Sequence, residues 1–505
     1  MDRILSIINS PKENQKSILD RIVTDFKNDP NGLTVIRCTI QDNGYSAEWF
    51  PFISKNNVVS ELLFRDTLGD GEEFVLPSSN FTMKYPHLCI KINDGSNLDV
   101  STLSLEPSAE KEADIKAAID KLIKEKLPGV DAKDAFVLKS YDESLPLNVV
   151  IDAYGVFEDP DVCEITPETT LKDLLPRFHC VYYKPVSELQ LCEQVDVTND
   201  DLIQRASELR KDVITMIKDV LLGDELAAEY FLLHLFSKIT KRLSGIPTGS
   251  IGINLYHSEM SSTMVDKLAD LTRQLKPLIN LVSVTIESLN SLWMQPSQAR
   301  YEGSEDVENG LYKGVLQAPE GSWFLLDETN MNVGTLTERG LNNIKTLQNA
   351  ISFGSVEYGL HYGSLDREVD FGYCVIGKVA SLLQLNTSVP IVSKPALEQN
   401  VEDSTQILQS VILSYMQTLI AIMREKTFTV SDKLESVIER DFIASQKKAR
   451  DSQQPADDGS MLLHRLVVAE SISKSFGLSE LNESCWNRAG ELESERLSRL
   501  SHKKK

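Results

Sequence analysis

The sequence lacks the marks of several common functional classes. Its seven cysteines include no Cys-x-x-Cys pair, which argues against a zinc site or a disulfide framework and indicates a reducing compartment. Positive charge is also scarce, since the formal net charge is −23 at pH 7. Because no overall positive field draws such a chain to nucleic-acid phosphates, a protein surface or a basic partner fits it better. The balance of 41% hydrophobic and 25% charged residues over 505 positions predicts about three globular domains.

No long apolar run marks a signal peptide or a membrane span. The one uncharged stretch of sufficient length, residues 404–423, contains eight Ser, Thr or Gln residues. Its apolar residues recur at helical spacing, so it predicts an amphipathic buried helix. We expect a soluble protein of the nucleus or cytosol.

A pair of adjacent carboxylates is the most informative feature that is present. Asp327 and Glu328 end an apolar run, residues 322–326, that is typical of a buried strand in a parallel sheet. Ring-forming ATPases use this pattern to hold magnesium and to polarise a water at the γ-phosphate.

The phosphate-binding loop that should accompany those carboxylates is missing. Its expected place, between the first strand of the α/β part and the next helix, is residues 257–262, HSEMSS. That segment offers no glycine for close backbone approach and no lysine for neutralisation, and Glu259 would repel a phosphate. The sequence therefore predicts an ATPase-like core that has lost its chemistry.

Asp327 and Glu328 consequently have two interpretations. They either cap the loop that follows the strand, which we favour, or bind a metal as a degenerate Walker-B-like pair. Two other segments resemble a phosphate loop but predict structural elements. In residues 372–379 a valine, Val379, replaces the required hydroxyl, and residues 245–250 precede a strand. We expect no catalytic residue, no bound cofactor and no metal site.

Histidines give no metal-binding pattern either. His234 lies on an apolar helix and is expected to be a core residue. His87, His179, His257, His361 and His464 share no spacing typical of a metal site.

The periodicity of the sequence predicts a multidomain α+β and α/β protein. A helix in residues 1–30 precedes a β domain, 31–186, whose short strands with an inserted helix suit an OB-like barrel. Residues 200–395 alternate helices and strands, as in an AAA+-like α/β domain without a phosphate loop. Residues 400–505 read as a helical bundle.

Two alternative functions stay open at this point. The chain is either a divergent AAA+ ATPase with an unusual phosphate loop or an OB-type single-stranded DNA-binding protein. The second needs exposed aromatic rings in a basic groove. Tyr45, Trp49, Phe50 and Phe52 supply rings, but few lysines or arginines neighbour them.

A series of short segments resembles the minichromosome-maintenance complex-binding protein family. They occur in the order of the family and span most of the chain: IRCTIQD (36–42), AYGV (153–156) with DP (159–160), PRFH (176–179), AAEYFLLHL (227–235), IESLN (286–290), GVLQAP (314–319), LDET (326–329) and the end from 486 to 499.

The resemblance implies a nuclear, non-catalytic relative of the hexameric replicative helicase subunits, with the cytoplasm as a second location. Such proteins associate with subunits of the minichromosome-maintenance helicase in place of one normal subunit. They influence its assembly and its unloading from chromatin, and the family is tied to DNA replication, the cell cycle and sister-chromatid cohesion. Chromatin association would be indirect, and no membrane is implied.

Overall fold

The computed structural model shows a mixed α+β protein with two compact units. It describes residues 18–49, 52–56, 58–75, 83–92, 109–141, 143–160, 165–166, 169–193, 195–298, 310–393, 403–451 and 459–502. The first unit consists of Met1–Ser187, Met294–Pro319 and Glu357–Leu365, and the second consists of Glu188–Trp293, Glu320–Val356 and Asp366–Lys505. The four predicted domain ranges stay predictions.

The first unit is built on an antiparallel sheet that closes on itself. Its elements are α1 (Ile18–Asn28), β1 (Thr34–Asp42), β2 (Glu48–Trp49), β3 (Phe52–Lys55), β4 (Val58–Glu61), β5 (Glu73–Val75), β6 (Met83–Lys91), α2 (Ala109–Lys126), β7 (Ala135–Tyr141), β8 (Val150–Glu158), α3 (Leu171–Leu174) and β9 (Arg177–Pro185). The sheet order is β1-β8-β9-β7-β6-β2, and β1 also pairs with β6. Five strands therefore form a closed ring, in which only β7 and β9 run parallel.

Alternating side chains of these strands fill the interior of the ring. Ile36, Cys38 and Ile40 of β1 point inward together with Phe136 and Phe178 from β7 and β9. All five are buried, which is the period-two pattern of a strand with one core face. Strand β7 was not predicted from the sequence; its residues are buried along their whole length and show no alternation.

Two segments from the second half of the chain complete the first unit. The Leu311 amide donates to the Asp42 carboxylate at 2.7 Å, and the Gln317 side chain donates to the Gln41 carbonyl at 2.6 Å. Farther on, the buried Tyr358 hydroxyl accepts a hydrogen bond from Asn148 at 2.6 Å. Residues 1–187 alone therefore lack part of their own unit.

The second unit contains a five-stranded parallel sheet with helices around it. Its elements are α4 (Glu188–Leu191), α5 (Asn199–Val220), α6 (Glu225–Phe236), β10 (Lys241–Leu243), β11 (Ile246–Thr248), β12 (Ile253–Tyr256), α7 (Ser262–Leu275), β13 (Ile279–Ser283), α8 (Ile286–Ser291), β14 (Trp323–Asp327), α9 (Glu338–Phe353), β15 (Ser355–Leu360), β16 (Gly363–Glu368), β17 (Gly372–Gly377), β18 (Thr387–Pro390), α10 (Asp403–Glu425), β19 (Thr429–Val430), α11 (Asp432–Asp451), α12 (Ser460–Ser475), β20 (Glu480–Leu481) and α13 (Glu483–His502). The sheet order is β13-β14-β17-β12-β18, and every neighbouring pair is parallel.

A single hydrophobic core joins this sheet to the C-terminal helices. α6 is buried from Leu226 to Phe236, because it contacts both the sheet and α12. Trp486 of α13 is fully buried in the same core. In the described part of the chain, no helix is long and apolar enough to cross a bilayer, and residues 404–423 lie within α10.

One predicted strand is shorter than the sequence indicated. We predicted a strand over residues 281–286, but β13 ends at Ser283. The Thr285 side chain accepts a hydrogen bond from the Ser288 amide and caps α8, so Ile286 begins a helix. An N-cap signal thus outweighs the apolar run.

Candidate functional site

The two adjacent carboxylates lie at the carboxyl end of an internal, fully buried strand, β14. The register pairs Asp327 with Ile376 and Tyr256 with Gly377, so β12, β14 and β17 end at one edge of the sheet. The loops after these strands meet there, as parallel topology requires. We call five residues in these loops the carboxyl-edge cluster: Ser262, Asp327, Glu328, Thr329 and Ser381.

Asp327 is bonded by the turn that follows it. Its Oδ1 accepts hydrogen bonds from the Thr329 amide at 2.8 Å and from the Thr329 hydroxyl at 2.6 Å. Both side chains are buried. A carboxylate that bonds its own backbone two residues on is an Asx turn, which stabilises the loop. This geometry is the one that the loop-capping interpretation requires, and the predicted lack of a metal there stays a prediction.

Glu328 is hydrogen-bonded to β17 and to the loop that follows β17. Its amide donates to the Ile376 carbonyl at 2.8 Å, and its carboxyl accepts a hydrogen bond from the Ser381 hydroxyl at 2.7 Å. Burial raises the pKa of Glu328, and the neighbouring Asp327 raises it further. A raised pKa favours the neutral carboxyl, which is a poorer magnesium ligand than a carboxylate.

The loop at the position expected for a phosphate loop is closed by hydrogen bonds among its own residues. The Glu259 amide donates to His257 Nδ1 at 3.2 Å, and the Met260 amide donates to the His257 carbonyl at 3.0 Å. Met260 is 1% exposed and belongs to the hydrophobic core of the second unit, so it anchors the loop there. Two amides that would have to face a phosphate are therefore already used.

The helix after this loop is tied to the carboxylate loop. Asn330 donates to the Ser262 hydroxyl at 2.7 Å, and the Ser262 and Thr329 hydroxyls lie 3.3 Å apart. Helix α7 begins at Ser262 with Ser261 as its N-cap. The carboxyl-edge cluster is thus cross-linked by its own hydrogen bonds and resembles a closed edge more than a nucleotide site.

A second group of candidate ligands lies in the first unit. Ligand-type atoms of Asp66, Glu158 and His179 lie within 4.8 Å of one another. His179 Nε2 is 2.9 Å from Glu158, and His179 Nδ1 is 2.8 Å from the Tyr141 hydroxyl. Burial would raise the pKa of Glu158, but hydrogen bonds from His179 and Thr67 outweigh burial and lower it to about 2.

Cationic side chains already supply the positive charge in this group. Asp66 pairs with Lys84, with Lys139 and, at 3.3 Å, with Arg177. Burial opposes ionisation of Asp66, yet Lys139 and Lys84 hold its pKa well below the ordinary value. Three positive groups around one carboxylate disfavour a divalent cation. The arrangement fits an ion-pair network better than a metal site.

The Glu158 carboxylate also fixes the loop that follows β4. It accepts hydrogen bonds from the backbone amides of Asp66 and Thr67 at 2.8–2.9 Å. Spacing gave no hint of this network, because its members come from one loop and from four strands, β6, β7, β8 and β9.

The aromatic residues considered for DNA binding are only partly described. The Lys126 ammonium lies 4.9 Å from the centre of the Tyr45 ring, and the Tyr45 hydroxyl accepts a hydrogen bond from the same lysine at 2.9 Å. Phe52 is partly buried in β3. The side chain of Trp49 and the whole of Phe50 lie outside the described residues.

Comparison with known protein families shows to which family the chain belongs. The sequence model of the family described as Mini-chromosome maintenance replisome factor matches residues 89–500. The chain belongs to this family. The match runs through both units, and it includes the carboxyl-edge cluster and most of α13.

Relatives from distant organisms carry one name, Mini-chromosome maintenance complex-binding protein. The Danio rerio protein is 28% identical over 415 residues, covering 75% of this chain and 64% of its own length. The Homo sapiens protein is 25% identical over 417 residues, covering 75% and 63%. The Arabidopsis thaliana protein is 25% identical over 331 residues, covering 65% and 53%. The aligned region therefore spans less than two thirds of these relatives.

The C-terminal family segment, residues 486–499, has a clear structural task in this chain. Arg488 donates to the buried Glu229 carboxylate at 2.7 Å, and the Tyr230 hydroxyl donates to Glu493. Farther along α13, Arg499 pairs with Asp224 at 2.5 Å. No signal in the sequence pointed to these contacts, because their partners, Asp224, Glu229 and Tyr230, lie more than 250 positions away in the chain.

Proposed function

We propose that this chain is a non-catalytic binding protein for subunits of the hexameric minichromosome-maintenance helicase. The observation that carries the proposal is the closed carboxyl edge within a member of this family. The amides of Glu259 and Met260, where a phosphate loop would lie, donate to His257, and Thr329 donates to the Asp327 carboxylate. Such a core keeps its packing surfaces without the groups that turnover needs.

The architecture supports an AAA+-like interpretation of the second unit. Strand β14 carries the carboxylates, and one strand, β17, separates it from β12, whose loop should hold a phosphate. Both loops reach one edge of an all-parallel sheet, as a Walker pair requires. The closed five-strand ring with a helix inserted before β7 supports an OB-like interpretation of the first unit.

We further propose that the chain acts in the nucleus, where it regulates assembly of the helicase and its unloading from chromatin during DNA replication. A role in sister-chromatid cohesion belongs to the same proposal. Membership of the replisome-factor family and the shared name of the relatives support it.

Size-exclusion chromatography with light scattering tests the proposal. The full chain is mixed with each purified helicase subunit in turn, without nucleotide and then with magnesium and ATP. We expect co-elution at a defined stoichiometry that does not depend on nucleotide. Failure to form a complex with any subunit would overturn the proposal.

Calorimetric titration with magnesium and ATP tests the alternative that the chain is a divergent ATPase. We expect no binding for the wild type. Magnesium-dependent binding that Asp327→Asn abolishes would instead establish a divergent ATPase. Titration with a single-stranded oligonucleotide at low and high salt tests the DNA-binding alternative in the same way.

A further inference from the structure

A groove of about 400 Å³ opens among four helices of the second unit, α5, α6, α12 and α13. Its floor is apolar, with Ile214, Ile472 and Cys485 buried and Phe476 partly buried. A volume of this size accommodates a few side chains of a bound peptide.

An internal ion pair makes the floor rigid. The Arg210 guanidinium lies 4.7 Å from the centre of the Phe476 ring and donates to the Ser475 hydroxyl at 2.9 Å. It also pairs with Glu229, which accepts a second hydrogen bond from Arg488 at 2.7 Å. The charge of Glu229 is thus neutralised within the wall of the groove.

The rim of the groove is basic, in a chain whose net charge is −23. Lys211 is exposed, Lys218 is partly exposed, and the Arg488 side chain is 44% exposed. Over the described part of the chain, neither Lys211 nor Lys218 makes an ion pair, whereas Glu225 contributes one negative charge to the lining. We call this cleft among the four helices the basic groove; Lys211, Lys218 and Arg488 lie on its rim.

We propose that the basic groove binds an acidic segment of a partner protein, with carboxylates facing Lys211 and Lys218 and one apolar side chain on the Ile214 and Phe476 floor. Charge complementarity is the reason, since two ammonium groups that make no ion pair among the described residues lie beside an apolar recess, and the one lining carboxylate without an arginine partner, Glu225, cannot neutralise both. The partner is the helicase subunit bound by the chain, so this inference rests on the proposed function.

A charge-reversal variant of the full chain, Lys211→Glu with Lys218→Glu, tests the groove. Fluorescence anisotropy measures its affinity for the purified helicase subunit that co-elutes with the wild type. We expect a loss of roughly tenfold or more at about 50 mM salt, and a smaller loss at about 300 mM salt, because salt screens exposed charges. The matched control, Lys267→Glu with Lys345→Glu, changes two exposed lysines elsewhere in the same unit by the same charge.

A second variant, Thr215→Trp, tests shape instead of charge. Thr215 is exposed on the rim, so tryptophan there obstructs the groove without disturbing the core. We expect it to weaken binding at both salt concentrations, while thermal melting shows that each variant is folded.

The outcomes separate the two proposals. If the wild type binds a subunit and both groove variants bind equally well, or the control loses as much affinity, the basic groove is not the docking site. If the wild type binds no subunit, the proposed function is wrong, and the inference about the basic groove is wrong with it.

Discussion

Arg499, near the end of the last helix, donates two hydrogen bonds to the fully buried carboxylate of Asp224, at 2.5 and 3.2 Å. The same carboxylate caps α6 through the Leu226 amide at 3.0 Å and accepts from the Val392 amide at 2.8 Å. One buried charge therefore joins the start of α6, the segment after β18 and the C-terminal helix.

We predict that Arg499→Ala lowers the free energy of unfolding by about 3 kcal/mol, because it leaves Asp224 buried without its cation. Urea unfolding at pH 7, followed by circular dichroism, measures this change. Arg499→Lys keeps the charge and should lose less. A stability for Arg499→Ala within about 0.5 kcal/mol of the wild type would contradict the role given to this pair.

Thr329→Ala is expected to destabilise the protein by about 1 kcal/mol, because it removes the hydroxyl that donates to Asp327. Thr329→Ser keeps the hydroxyl and serves as the control. Differential scanning calorimetry of both variants measures the effect. If Thr329→Ala is neutral and instead changes nucleotide binding, the loop-capping interpretation of Asp327 is wrong.

Acid should destabilise the protein in part through His87. Its Nε2 accepts a hydrogen bond from the Leu145 amide at 2.8 Å, and its Nδ1 lies 3.3 Å from the Leu138 carbonyl, so the ring is held neutral. Burial lowers the pKa of His87 to about 4, against hydrogen bonds to Leu138 and Tyr85 that raise it.

Between about pH 6.5 and pH 4, His87 is therefore protonated in the unfolded chain and neutral in the folded chain. Stability falls with decreasing pH across this window, by at most about 3 kcal/mol from this residue. Urea unfolding at a series of pH values should show this slope, and His87→Asn should flatten it. An unchanged slope in the variant would exclude His87 as its source.

Glu158 extends the acid sensitivity to lower pH. Its pKa is about 2 in the folded state and ordinary in the unfolded state. Its contribution is present above about pH 4.5 and is lost as the pH falls toward 2. Glu158→Gln keeps the shape of the side chain, and it should remove this lower part of the pH dependence.

Gly155→Ala should strongly destabilise the first unit. A Cβ at Gly155 would meet the backbone carbonyl of His179, where β8 and β9 shift register. Backbone cannot move aside as a flexible side chain can, so we expect a loss of more than about 2 kcal/mol. Gly252→Ala is a matched control, since its new Cβ would have its nearest contact at 3.4 Å, with the Leu385 side chain. Equal stability of the two variants would refute the close-approach argument.

The sequence was a good guide where local chemistry dominates. The run before Asp327 predicted a buried strand, and β14 (Trp323–Asp327) lies there with every residue buried. The near-match to a phosphate loop at 372–379 predicted a strand, and it contains β17. The missing glycine and lysine in 257–262 predicted a segment without a phosphate cradle, and the amides there are bonded within the loop.

Elements that depend on distant partners could not be predicted. Strand β7 has no alternation because both of its faces are buried, so periodicity could not separate it from a helix. The segment after Gly310 belongs to the first unit through Asp42 and Gln41, which lie over 250 positions earlier in the chain. Sequence adjacency carries no information about such a contact.

The sequence by itself determined that residues 257–262 lack the glycine and the lysine of a phosphate loop, since that property depends on which residue types are present. It also predicted individual strands of the second unit, such as β14 and β17, because apolar runs of that length are typical of buried strands. Only the tertiary structure decided which charges are paired. Asp224 and Glu229 look like surface carboxylates in the sequence, but folding buries them against arginines of another helix, and Glu493 is partly buried against the Tyr230 hydroxyl. Among the described residues, Lys211 and Lys218 have no such partners, and this difference, invisible in the sequence, distinguishes the rim of the basic groove.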